Sequence, residues 1–166
     1  MLVIALIIAD RQGWLIAPAV DDLNAYDGAA VLVERVIDGD TLVVMLPDAL
    51  HGELTTTIRL WGIDCPETAR FGSPDEPWAR EALILARDLA DGRIVRLTLE
   101  PHRPRDSFDR VLAHVQCADG RGLAEALLDA GLARADPRWR HRLAGRYEQL
   151  EVAARRRGEG LWSSDP

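Results

Sequence analysis

At 166 residues, 48% hydrophobic and 28% charged, the chain fits one soluble domain able to bury a core, and an aromatic content of 5% leaves aliphatic residues to fill it. Two cysteines, Cys65 and Cys117, are too few for a disulfide framework, and no C-x-x-C or histidine pairing marks a zinc site. The net charge of −7 works against uniform attraction to a polyanion, but it is uneven. Residues 1–100 hold 8 arginines against 17 acids and residues 101–166 hold 12 against 10, so the carboxy-terminal part can face one.

Met1 to Ala9 is an unbroken apolar run, followed by Asp10-Arg11-Gln12-Gly13 and a second run from Trp14 to Val20. It is shorter than the roughly 20 apolar residues that span a bilayer and lacks the basic flank of a secretory signal. Residues 1–30 are expected to be a truncated signal or membrane anchor, which would put the protein outside the cytoplasm, secreted or tethered; the alternative is a short helix packed on the domain. Strand patterning begins at Val31. Val31, Val33, Val36 and Ile37 precede Asp38-Gly39-Asp40-Thr41, and Leu42 to Leu46 follows, so the Asp-Gly pair predicts a hairpin through its tolerance of positive φ. A third strand is expected over Leu54–Trp61. Pro77 should open a helix, with Trp78, Ala82, Leu85 and Leu89 at helical spacing and Gly92 to end it. Strands over 93–100 and 111–117 come next, then a helix through Leu123 and Leu127 capped by Gly131. A longer helix through Trp139, Leu143, Tyr147, Leu150 and Ala154 closes the chain. Five short strands with a helix between the third and fourth is the order of an OB-fold barrel, an α+β protein with three helices.

The stretch Ile58 to Thr68, I-R-L-W-G-I-D-C-P-E-T, organises the rest. Arg59 lies on the strand face opposite Ile58 and Leu60, and the chain then breaks into a loop carrying Asp64 and Glu67. A cation and two anions meeting at a strand end suit a phosphodiester: arginine for its oxygens, carboxylates for a metal, and a carboxylate for the attacking water. The alternative is a plain structural ion pair. An arginine so placed needs an anionic partner, and Glu67 is the expected one.

D-G-D-T at 38–41, the stretch at 58–68, the Pro77 helix start, D-S-F-D-R at 106–110, A-D-G-R-G-L-A-E-A-L-L-D-A-G-L-A at 118–133 and G-L-W-S at 160–163 resemble, in order, the staphylococcal nuclease or thermonuclease family. The resemblance covers about residues 31–163. It implies a calcium site formed by Asp40, Asp64 and the backbone carbonyl of Cys65, with Asp38 near it, Glu67 as general base, and Arg59 and Arg110 gripping the phosphate. It also implies hydrolysis of DNA and RNA with little sequence specificity, leaving 3′-phosphate and 5′-hydroxyl ends, by a monomer. The chain departs from the family pattern at Phe108 and Asp109, where an aromatic hydroxyl and a glycine are usual. Phe108 keeps a stacking surface for substrate, while Asp109 is expected to compete for Arg110. A further departure is Pro137, near the place of a base-stacking tyrosine, with Arg138 or Trp139 as substitutes. A non-catalytic OB-like module that binds nucleic acid or protein is the alternative function.

Overall fold

The barrel grows from strands that alternate buried and exposed residues. The computed structural model describes residues 21–163 apart from 49, 70–73 and 139. Its strands are β1 (Ala30–Val36), β2 (Thr41–Val44), β3 (Thr56–Leu60), β4 (Ile63–Asp64), β5 (Ile94–Leu99), β6 (Val111–Gln116) and β7 (Arg134–Ala135). Five of them close in the order β1-β2-β3-β6-β5, and β4 pairs with β7 separately. β3 and β6 run parallel, with Ile58 opposite Val111, and the other barrel pairs are antiparallel. Closure leaves the barrel no free edge. This is the five-stranded OB-type barrel expected from the sequence.

The helices are α1 (Asp22–Tyr26), α2 (Ala79–Ala90), α3 (Leu123–Asp129) and α4 (Ala144–Arg157), with a 3-10 turn at Gly160–Trp162. The three anticipated helices are α2, α3 and α4; α1 is additional. α2 starts two residues after Pro77, because Trp78 holds a left-handed backbone, φ 71°, that a right-handed helix cannot include. α2 sets Ala79, Ala82, Ala86 and Ala90 against the core, so small side chains allow close approach. α3 buries Leu123, Leu127 and Leu128 completely, at about 1.5–3 kcal/mol each. α4 packs on α3 and buries Tyr147, Leu150 and Ala154.

Residues 21–29 join this unit. Tyr26 is fully buried, Gly28 N–H donates to the Leu97 carbonyl, and Leu99 N–H donates to Asp27. Arg105 ties them down further. Its guanidinium donates to both oxygens of Asp22 at 2.8 Å, to Asp48 at 3.0 Å and to the Asp109 carbonyl at 2.7 Å, with a side chain only 10% exposed. The packed unit therefore extends upstream of residue 31. Of the signal or anchor segment expected over residues 1–30, residues 21–30 belong to the packed unit, while residues 1–20 lie outside the described residues, as does Trp139. No helix among the described residues is long and apolar enough to cross a membrane.

Gly39 serves a purpose other than the positive φ expected of it. A Cβ there would lie 2.8 Å from Cys65 Cβ and Sγ and 2.9 Å from Ala82 Cβ, so glycine is needed for close approach of the β1–β2 turn to β4 and α2. Both cysteines are free and buried.

A polar cluster lies beneath α4. Glu100 accepts from Arg142 N–H at 2.8 Å and lies 3.2 Å from His114 Nε2, while His114 Nδ1 is 3.0 Å from the Tyr147 hydroxyl. His114 is thus a buried network member. Burial pushes it down from its ordinary 6.5 to about 4 against the pull of Glu100, and burial lowers His141 as well. Asp48 is raised by burial but drawn down to about 2 by hydrogen bonds from Arg105 and His51. All three groups bind fewer protons folded than unfolded, so acid favours unfolding. The expected result is a melting temperature that is highest above pH 6.5 and falls as pH drops toward 4. His114 alone accounts for about 3 kcal/mol of this. A further fall follows from 3.8 toward 2. Calorimetry across pH checks it, and His114→Gln should flatten the upper limb.

Candidate functional site

Three short segments meet at one end of the barrel. β2 and β3 pair with Thr41 opposite Arg59, which brings Asp40 next to that arginine. After β3 the chain turns at Trp61-Gly62 and returns as β4. Gly62 has φ 75°, and a Cβ on it would strike the His141 ring, so the turn needs glycine. The turn delivers Asp64 back to the arginine from which it left.

Arg59 is 14% exposed and is held by Asp40 through Nη1, by Asp64 Oδ1 at 2.7 Å and by the Ile63 carbonyl at 3.2 Å. Its partners are therefore Asp40 and Asp64 rather than the expected Glu67. The reason is local: β4 folds straight back, whereas Glu67 lies beyond Pro66 on an exposed loop held by reciprocal contacts with Glu76. Asp40 is buried. Its Oδ1 accepts from the Thr41 hydroxyl at 3.2 Å and its Oδ2 from Cys65 N–H at 2.8 Å, while Asp38 accepts from Asp40 N–H. The Cys65 thiol is pushed up by burial, eased by Arg59 and pushed further by Asp38, Asp64 and Glu67, so those four charges surround it.

The oxygens that a cation would meet there are those of the two carboxylates gathered by Arg59. Hard oxygen donors fit calcium or magnesium chemically. Among the described residues no cluster of three or more His, Cys, Asp or Glu side chains suits a metal, so such an ion would complete its shell with water or phosphate.

Beside Arg59 opens a cleft of about 230 Å³, lined also by Arg110, Phe108, Arg103, Arg138 and Asp106. Arg110 donates through Nε to Asp106 at 2.7 Å, reaches the Thr41 hydroxyl at 3.4 Å and lies 5.5 Å from the Phe108 ring centroid. Phe108 is 78% exposed. The competitor for Arg110 is thus Asp106, not Asp109. Asp106 also accepts from the backbone of Phe108 and Arg110, shaping the loop. Asp109 instead sits at φ 60°, a left-handed conformation that glycine adopts without strain. Asp109→Gly is expected to raise stability by about 0.5–1 kcal/mol in urea unfolding, with Arg110 still on Asp106.

Arg138, named from the sequence as a substitute platform, reaches the cleft but is clamped by Asp136 at 2.7 Å. Sequence reasoning missed Asp106, Asp136 and Arg103; Asp106 lies within a quoted motif, yet only the folded loop shows what it holds. The terminal Arg155-Arg156-Arg157 run is largely structural. Arg155 pairs with Glu151 and covers Trp162, and Arg157 pairs with Asp129 and Glu159.

A closed OB-type barrel with an arginine-lined cleft beside paired carboxylates is the class this geometry defines. The chain belongs to the family described as staphylococcal nuclease homologue, whose model matches residues 57–164. It is 31% identical over 138 residues to the thermonuclease of Staphylococcus intermedius, covering 81% of this chain and 77% of that one. It is 33% identical over 104 residues to endonuclease YncB of Bacillus subtilis, covering 63% and 46%, and 33% identical over 128 residues to the probable endonuclease LCL3 of Clavispora lusitaniae, covering 71% and 53%. The matches thus span about half the length of the latter two relatives.

Proposed function

We propose that the protein is a calcium-dependent phosphodiesterase that hydrolyses DNA and RNA with little sequence specificity, leaving 3′-phosphate and 5′-hydroxyl ends. The observation that carries the reading is that Arg59 and Arg110 line one cleft directly beside the carboxylates of Asp40 and Asp64. A phosphate in the cleft meets two guanidinium groups, each able to donate two hydrogen bonds, and contacts confined to the backbone carry no base identity. Calcium held by Asp40, Asp64 and the Cys65 carbonyl would supply further positive charge against the phosphate oxygens. Glu67 takes a proton from the attacking water as the new P–O bond forms and the P–O5′ bond breaks. The 5′-oxygen leaves with its fragment and takes a proton from solvent water to become a hydroxyl, while the phosphate stays on the 3′-oxygen of the upstream fragment. Arg59 and Arg110 stabilise the charge that builds on the phosphorus oxygens between those events.

The membership in a nuclease family and the similarity to a thermonuclease and to endonucleases support this reading. The apolar run Met1–Ala9 supports, in the same reading, a secreted or tethered location. One observation favours a non-catalytic binding module instead: Arg59 and Arg110 both already hold carboxylates. Incubating the protein with fluorescent single-stranded DNA, with calcium or with chelator, tests the choice. Cleavage that calcium supports and chelator abolishes is expected; binding without cleavage under both conditions would leave the module.

A further inference from the structure

Asp64 lines a groove of about 460 Å³ with Pro66, Pro77, Trp78, Arg134 and Leu161, and through its ion pair with Arg59 it also adjoins the arginine cleft. Arg134 faces Asp64 across the β4–β7 pair, and residues directly opposite on antiparallel strands project to the same side. Asp64 nevertheless gives its Oδ1 to Arg59, and among the described residues no carboxylate pairs with Arg134. Arg134 instead lies over the Trp162 ring at 4.5 Å, with Arg155 over the same ring at 4.0 Å. An exposed cation oriented by an indole rather than by an anion keeps its donors for something else. The opposite wall is equally unusual. Trp78 is half-buried and holds φ 71°, costly for so bulky a residue, and strain of that kind collects where a side chain must be held in place for a ligand.

We propose that this groove is a second nucleotide subsite, in which Arg134 binds the phosphate next to the scissile one and the Trp78 indole supports the attached sugar and base. A cation without a carboxylate partner among the described residues and an aromatic face form the combination that single-stranded polynucleotides use, with charge for the backbone and a π-surface for any base. The inference rests on the phosphodiesterase reading, since it takes the strand to cross Asp64 from one depression to the other. It makes Arg134 a binding residue that touches neither the attacking water nor the scissile bond.

Two substrates separate the subsite from the chemistry. A dinucleotide carries only the scissile phosphate, whereas a tetranucleotide extends into the groove. In Arg134→Gln the KM for the tetranucleotide is expected to rise about five- to tenfold with kcat unchanged, and the dinucleotide KM to stay the same; Arg134→Lys should recover most of the loss. Binding of a labelled tetranucleotide, followed by anisotropy in calcium, should lose about 0.7 from the slope of log K against log salt in Arg134→Gln. Equal effects on both substrates, or an unchanged salt slope, would overturn the subsite. Absence of cleavage by the unaltered protein would overturn the phosphodiesterase reading instead, and the anisotropy slope would still decide the groove.

Discussion

Replacing Glu67 with glutamine is expected to lower kcat by about 10²–10⁴-fold while leaving the affinity for DNA within about threefold. The amide keeps the size and some of the hydrogen bonding of the carboxylate but cannot take a proton from water. Glu67 is exposed and is not one of the carboxylates that Arg59 holds, so its own carboxylate is open to water. Its loop is held through the backbone, with Glu67 N–H on Glu76 Oε2 at 3.0 Å and Glu76 N–H on the Glu67 carbonyl at 2.9 Å. The substitution therefore leaves the loop's support intact, and the loss appears in turnover rather than in folding. Stopped assays on single-stranded DNA with calcium, run beside anisotropy binding, measure both quantities. A variant that retains more than about a tenth of the rate would remove Glu67 from the role of general base.

Arg59→Gln should cost both stability and turnover. Asp40 is 3% exposed, and without the guanidinium its carboxylate keeps only the Thr41 hydroxyl and the Cys65 N–H. Removing one partner of a buried ion pair typically costs 3–5 kcal/mol, and those two remaining donors put this case near about 3 kcal/mol. Asp64, more than half exposed, adds little. Turnover falls by about 10²–10³-fold, the usual cost of removing one donor aimed at charge that develops in the transition state. Added calcium should return part of the lost stability in the variant by supplying positive charge to Asp40 and Asp64. Thermal melts of both proteins with calcium and with chelator give the comparison. A variant that melts like the parent in chelator would show that Arg59 does not hold Asp40.

The fold was readable because its signals are local. Alternating valines in β1, the Asp-Gly turn, and leucines at helical spacing in α3 each fix an element without reference to the others. The convergence of Arg59, Asp40 and Asp64 was readable for a related reason: Arg59 and Asp64 lie five residues apart, and Asp40 is next to the residue that pairs with Arg59. What escaped is mostly non-local or a choice among similar groups. Nothing in one dimension distinguishes Asp64 from Glu67 as the partner of Arg59, because both are carboxylates just past the strand and only the folded turn at Gly62 shows which of them is brought back. The Arg105 network joins segments separated by 57 and 83 positions, beyond any periodicity. Asp109 was assigned the competition for Arg110 by adjacency, yet in a loop the side chain four residues away reached the guanidinium better. α1 escaped because five residues are too few to show a helical face.

Arg105 sets an order of events as well as a geometry. Asp22 emerges early in synthesis and Arg105 much later, so the helix that begins at Asp22 waits for most of the barrel before its buried partner exists. Closing a contact over 83 positions is entropically slow compared with forming the hairpin at Gly39. Arg105 also donates to the Asp109 carbonyl, so the loop that presents Phe108 and Arg110 gains its last support in the same event. Recovery of activity after dilution from denaturant should therefore trail the return of β-sheet signal, and the chain would become competent only once the segments carrying Asp22 and Arg105 have met.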